Sequence, residues 1–180
     1  SIEFFDKVIH PGDALPPKEQ GLEHSVEIQH VPPILLVQPD EMLPREEACG
    51  RLGIPSSSTV WYVQLGAGQI NDIESEIRMT IEALLESDTE CFIVIGESLL
   101  GQRVSFSNKR VRILRDYPNG IYLKAFDYSI QAGGYNSFHE MRANQIPTIF
   151  YPNMSTGMDD QLARCRVSEV EGWGLVVEKR

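Results

Sequence analysis

"YSIQAGGYNSFHEMRANQIPTIFY", residues 128–151, sets an apolar run, a pair of glycines, a helix-like pattern and a second apolar run one after another. The runs "YSIQA" and "PTIFY" have the β-branched and aromatic content of strands, and the stretch between about Asn136 and Asn144 fits a helix. Strand, tight turn, helix and strand in so short a span form a crossover unit, which joins parallel strands with a right-handed turn.

The same alternation extends on both sides. "TVWYVQLGAG" from Thr59 is a β-rich run ending in glycines, followed by Ile73, Ile77, Ile81, Leu84 and Leu85 at helical spacing. "CFIVIG" from Cys91 and "VRIL" from Val111 are uninterrupted apolar runs, as strands are when both faces of a parallel sheet are covered. A short helix is expected at Asn119 to Ala125, another helix from Asp159 to about Glu171, and a last strand at "GLVVE", residues 174–178. The fold class expected is α/β, a Rossmann-like doubly wound parallel sheet over residues 56–180. Residues 1–55, rich in Pro and polar side chains, are expected to be extended segments and a linker from the end of a preceding domain. Within them a short helix fits Pro44 to Leu52, with Pro at the first turn, Glu46 and Glu47 near the positive end and Gly53 beyond the last turn.

Composition narrows the function classes. The 180 residues suit one domain of about 100 to 200 residues, or one domain plus a fragment. No apolar stretch approaches the roughly 20 residues that cross a bilayer. The start, "SIEFFDKVIHPGD", has neither an initiator Met nor the pattern of a signal peptide, so the chain is expected to be part of a longer one. A net charge of −10 argues against nucleic acid, whose phosphates are bound by clustered Lys and Arg. Cys49, Cys91 and Cys165 are far apart and form no Cys-x-x-Cys, which suits reduced thiols and a cytoplasmic location. The four histidines show no ligand spacing, and no metal site is assigned.

In open parallel sheets ligands sit beyond the carboxyl ends of the strands, where loops enter helices. "GAGQIND", residues 66–72, matches the first two glycines of a dinucleotide fingerprint and equally fits a plain strand-to-helix turn. At Gly133 and Gly134 two missing Cβ atoms let backbone amides approach a ligand, and Asn136 and Ser137 then open a helix whose positive end suits an anion, most simply phosphate. Glu140, three residues after Ser137, fits either a capping box or a carboxylate that accepts hydrogen bonds from the vicinal hydroxyls of a ribose. Asp159 or Asp160 caps the next helix, or that loop, with Gln161, meets the hydroxyls of a sugar.

"DYSIQAGGYNSFHEMRANQIPTIFYPN" followed by "DDQLARC" resembles the donor-binding half of GT-B glycosyltransferases. The similarity is nearest to the C-terminal, family 28 domain of the UDP-N-acetylglucosaminyltransferases that make the peptidoglycan lipid intermediate, and it covers roughly Thr59 to Glu178. The resemblance implies a UDP-sugar as substrate, hexosyl transfer without a metal or other cofactor, and an acceptor bound by an N-terminal domain or a second polypeptide. It implies that Gly133, Gly134, Tyr135, Asn136 and Ser137, with Gly66, Gly68 and Gln69 facing them, hold the donor diphosphate. Glu140 would bind the ribose, Asp160 and Gln161 the sugar, and Arg115, Asp116 and Tyr117 the uracil. Arg164 departs from the family, which often has Asn there, and Ala132 stands where the plant and animal glucosyl- and glucuronosyltransferases carry His. No catalytic base is identified, and His139 is expected to pack or face solvent. An acceptor carried on lipid would bring the enzyme to the inner face of a membrane as a peripheral protein, through the part beyond this chain. Three other readings remain: a UDP-sugar epimerase of the same architecture, an oxidoreductase domain using "GAGQIN" with Glu97 as ribose acid, and a non-catalytic binding module.

Overall fold

The computed structural model describes residues 6–16, 27–66, 73–97, 105–154 and 159–178. Six strands form one parallel sheet: β3 (Val60–Gln64), β4 (Phe92–Gly96), β5 (Val111–Leu114), β6 (Tyr128–Gln131), β7 (Thr148–Phe150) and β8 (Gly174–Val176). A separate parallel pair, β1 (Lys7–Pro11) and β2 (Glu27–Val31), lies before them. The helices are α1 (Arg45–Leu52), α2 (Ile73–Ser87), α3 (Tyr135–Ala143) and α4 (Gln161–Glu171), with a 3₁₀ helix at Asn119–Ala125.

The spatial order is β5-β4-β3-β6-β7-β8. The chain builds outward from β3 through β4 to β5, then returns to the centre and builds outward the other way from β6. Neighbouring strands β3 and β6 therefore feed connections to opposite sides, and the crevice between their carboxyl ends is where such sheets bind ligands. The sequence-derived fold class is the observed one.

Uninterrupted apolar strands are explained by two covered faces. Val60, Tyr62, Val94 and Leu114 join one cluster with Ala48, Cys49 and Leu52 of α1, Leu123 of the 3₁₀ helix and Met141 of α3. Val63, Ile93, Ile95, Val111 and Ile130 join a second with Ile77, Ile81 and Leu84 of α2. Each Val, Leu, Ile or Met among them contributes about 1.5 to 3 kcal/mol relative to exposure. Val37, Met42 and Ile54 belong to the first cluster, so chain ahead of residue 56 is part of the core around this sheet.

At the amino ends of the strands, Arg45 donates to both oxygens of Asp127 at 3.0 Å and to the carbonyls of Ser56 and Ser58. Asp127 also accepts from the Val60 amide, so one ion pair joins α1 to the starts of β3 and β6. Tyr62 lies flat on Phe126 with ring centroids 4.5 Å apart, and its phenol fills the space where a Cβ at Gly96 would stand. The expected helix at Pro44 starts one residue later because Pro44 is its N-cap.

Candidate functional site

The site begins at the end of β6. Gly133 has φ +79°, a left-handed conformation that costs an L-residue roughly 1 to 2 kcal/mol, and a Cβ there would collide with the Cys165 thiol. Gly134 then returns to φ −60°, ψ 157° and serves as N-cap of α3, with no side chain capping it. The first helical bond runs from the Phe138 amide to the Gly134 carbonyl at 2.9 Å. The amides of Tyr135, Asn136 and Ser137 precede it and carry the partial positive charge of the helix end. No acidic residue occupies the first turn. Five of the residues expected at the diphosphate, Gly133 through Ser137, are thus brought together at the switch point.

A capping box at Ser137 is not what forms. The helix begins at Tyr135, so Ser137 is its third residue, and the Ser137 hydroxyl donates back to the Gly134 carbonyl at 3.1 Å. Glu140 falls in the second turn, on the side of α3 that meets the 3₁₀ helix. Its Oε1 lies 3.6 Å from where a Cβ on Gly120 would be, so the glycine in the 3₁₀ helix makes room for it. Among the described residues none is bonded to this carboxylate, and burial raises its pKa to about 7. Beside it, the buried Tyr62 hydroxyl accepts from Asn119 Nδ2 at 3.2 Å and donates to Gln64 Oε1 at 3.3 Å. Two residues before Gly133, Gln131 is fully buried; its amide nitrogen donates to Ser129 Oγ at 2.6 Å while Oε1 has no partner among the described residues.

The turn after β3 flanks the seat. Gly66 has φ +100°, and a Cβ on it would touch Ala132 at 3.8 Å. Gly68 and Gln69 lie outside the described residues.

At the end of β5 the expected base-binding residues are engaged differently. Arg115 pairs with Glu97 at 2.6 Å, which also occupies the acid of the dinucleotide alternative. Asp116 accepts from the Tyr122 hydroxyl at 2.7 Å, and burial with this bond raises the phenol's pKa. Tyr117 is 59% exposed.

α4 starts at Gln161, two residues later than expected, because Asp160 is its N-cap: Asp160 Oδ1 accepts from the Ala163 amide at 3.1 Å. Gln161 Oε1 accepts from the Asn153 amide at 3.0 Å and fastens the preceding loop to the helix. Asp160 therefore has the capping role that the sequence left open beside sugar binding, and both residues stand at the sheet's carboxyl edge.

The largest feature that sequence reasoning missed is under the Gly133 turn. Arg164, 4% exposed, donates from Nε and Nη2 to Asp13 Oδ1 and Oδ2 at 2.9 and 2.8 Å, from Nη2 to Asp159 Oδ1 at 2.6 Å, and from Nη1 to the Gly133 carbonyl at 3.2 Å. His139 Nε2 is 3.0 Å from Asp13 Oδ1, and the Tyr135 hydroxyl donates to the Gly12 carbonyl at 2.7 Å. Burial works against the Asp13 carboxylate, but the bonds from Arg164 and the Ala14 amide outweigh it and hold the pKa below its ordinary value. Burial dominates at His139, lowering its pKa despite Asp13. Of the two fates expected of His139, packing or solvent, the structure gives packing. Arg164 was visible in the sequence as a departure from the family, but Asp13 lies 151 residues away and carried no signal.

Among the described residues no group of three or more His, Cys, Asp or Glu is placed to hold a metal ion, and no helix is long and apolar enough to cross a membrane.

No protein-family model and no curated protein matches the sequence. Solved structures do match. The chain is similar to the spinosyn forosaminyltransferase SpnP, with a TM-score of 0.61 and 16% identity over 96% of this chain and 42% of that one. The glycotransferase of kitacinnamycin gives a TM-score of 0.60 and 15% identity over 84% and 36%. The spinosyn rhamnosyltransferase SpnG complexed with thymidine diphosphate gives 0.58 and 18% over 87% and 40%. The chain thus spans well under half the length of each of these glycosyltransferases. Its fold is that of the C-terminal, Rossmann-like half of the GT-B glycosyltransferases.

Proposed function

We propose that this chain is the donor-binding half of a glycosyltransferase that uses a UDP-sugar, transferring a hexosyl group such as N-acetylglucosamine without a metal. The observation that carries this reading is the pairing, at the switch point, of an uncapped α3 amino end with a half-buried Glu140 one turn further along whose carboxylate has no partner among the described residues. The helix-end amides suit a diphosphate, and a carboxylate with two free oxygens suits a vicinal diol.

In the reaction the acceptor hydroxyl oxygen attacks the anomeric carbon while the bond from that carbon to the β-phosphate oxygen breaks. The electron pair leaves with the diphosphate, and the amides of Tyr135 to Ser137 stabilise the charge that builds there. The hydroxyl proton passes to a general base in the acceptor-binding part, whether a domain of the same polypeptide or a second one. His139 is not that base, since it is buried against Asp13. Tyr117 is the exposed side chain that stacks on the base, and Gln161 with Asp160 contacts the sugar. An acceptor on a lipid would bring the complete enzyme to the cytoplasmic face of a membrane.

A second reading, a thymidine diphosphate sugar as donor, is favoured by the ligands of SpnG and of VinC, whose structure is in complex with dTDP. Calorimetric titration of this chain and its Glu140→Ala variant with UDP, dTDP and NADH tests both. UDP should bind and lose about 10- to 100-fold in the variant, since a hydrogen bond to a charged group contributes about 1.5 to 3 kcal/mol. Thymidine diphosphate has no 2′-hydroxyl, so the variant should cost it less. Tighter binding of dTDP than of UDP by the parent selects the second reading. NADH binding without either diphosphate overturns both in favour of the dinucleotide alternative, and no binding at all by the folded chain favours a non-catalytic module.

A further inference from the structure

Arg164 stands under the donor turn, yet it is not free to take a phosphate. All three of its guanidinium nitrogens are engaged, by Asp13, Asp159 and the Gly133 carbonyl. What the arginine does instead is orient the turn. The Gly133 carbonyl and the Gly134 N–H belong to one planar trans peptide, so a donor holding the oxygen on one side aims the N–H to the other. Gly133 has no side chain of its own to fix that plane, and its φ of +79° is one that only packing selects.

Arg164 is itself held chiefly from outside the helix layer. Asp13 meets it with both carboxylate oxygens, the bidentate geometry that fixes a guanidinium in plane as well as in distance. The segment carrying Asp13 is docked on α3 by the Tyr135 hydroxyl at Gly12 and by His139, and Ala14 packs against the Phe138, Phe150 and Cys165 cluster.

We propose that Asp13 is a positioning residue for the donor diphosphate: through Arg164 it sets the Gly133–Gly134 peptide, so the seat is complete only with the Gly12–Ala14 segment docked. This rests on the donor-site reading above and adds a condition to it. Because β1 leads directly into Asp13, the orientation of the seat is linked to chain that precedes the sheet.

The test compares Asp13→Ala with Arg166→Ala, which removes ion pairs with Glu169 and Glu178 elsewhere on α4. The first readout needs no ligand. The amide ¹H and ¹⁵N chemical shifts of Gly134 to Ser137, followed by NMR, should move in Asp13→Ala and not in the control. The second is affinity for UDP, dTDP and uridine. The diphosphates should weaken roughly tenfold, as when a supporting partner is removed from a metal ligand, while uridine is unchanged. Asp13→Glu should recover part of the loss. If Asp13→Ala does not fold, the isosteric Asp13→Asn carries the same comparison. Unchanged shifts at these four amides overturn the proposal. Equal losses of UDP and uridine overturn it too, since they assign Asp13 to general stability. If the parent binds neither diphosphate, the donor reading falls and takes the diphosphate half of the proposal with it, while the chemical shifts still decide the control of the turn.

Discussion

Helices α3 and α4 both start just beyond the carboxyl end of a strand, and both point their positive ends at the same edge of the sheet. Their first residues are treated in opposite ways. At α4 the Asp160 carboxylate accepts from the Ala163 amide, so the helix end is satisfied from within. At α3 the N-cap is Gly134, the Ser137 hydroxyl is spent on a carbonyl, and no side chain among the described residues caps the helix. Under the proposed function the contrast separates a helix end that serves stability from one that serves binding, and only a site of the second kind gains from glycines in the approach.

The comparison breaks most severely at Gly133. Gly133→Ala combines a Cβ in left-handed backbone with overpacking on Cys165, and should cost about 3 kcal/mol in a denaturant titration and abolish UDP binding. Adding Cys165→Ala should return the packing part and leave the backbone part.

Glu140 is next. Its folded-state pKa, about 7, lies above the ordinary 4.5, so its contribution to stability is complete below pH 4.5 and is lost as pH rises to 7. Glu140→Gln removes the ionisation. After allowance for partial exposure, the variant should be about 2 kcal/mol more stable than the parent above pH 7 and should lack the fall between pH 4.5 and 7, as denaturation across that range would show. If Glu140 is the ribose acceptor proposed, the parent's UDP affinity should rise over the same interval as the carboxylate ionises.

The two remaining predictions exchange the helix ends. Asp160→Ala leaves α4 uncapped and should cost about 1 kcal/mol with little change in UDP affinity. Gly134→Asp caps α3 as α4 is capped. The backbone at 134 is in the β region and a Cβ there meets nothing nearer than Ser137 Oγ at 3.8 Å, so the variant should fold and gain about 0.5 kcal/mol. The same carboxylate should occupy the amides and repel the diphosphate, lowering UDP affinity about tenfold or more. A stabilised variant with intact binding would show that the α3 end is not the seat.

The sheet was legible in the sequence because strands such as "CFIVIG" are covered on both faces and need no polar alternation, and the helix after Gly134 followed from the break in pattern there. Helix starts were misplaced by one or two residues where the cap is not the residue that spacing suggests. Ser137 and Glu140 have capping-box spacing, but Gly134 starts the helix first. At α4 the preference of Asp for N-caps named the right residue type, and the structure chose Asp160 over Asp159 by giving Asp159 to Arg164. Asp13 was out of reach altogether. Its partner is distant in sequence, and an Asp after a Gly in a Pro-rich stretch looks like any turn residue.

Gly96 is filled from above by the Tyr62 phenol, Gly133 by the Cys165 thiol and Gly174 by the Ser168 hydroxyl. Each pair imposes an order on sequence change. A larger residue at 96 is admissible only after Tyr62 has shrunk, while Tyr62 can shrink first at the cost of a cavity, and the same holds for Ser168 and Gly174. At Gly133 even a smaller partner at 165 leaves the backbone constraint in force, so of the three glycines this is the one that drift cannot release in either order.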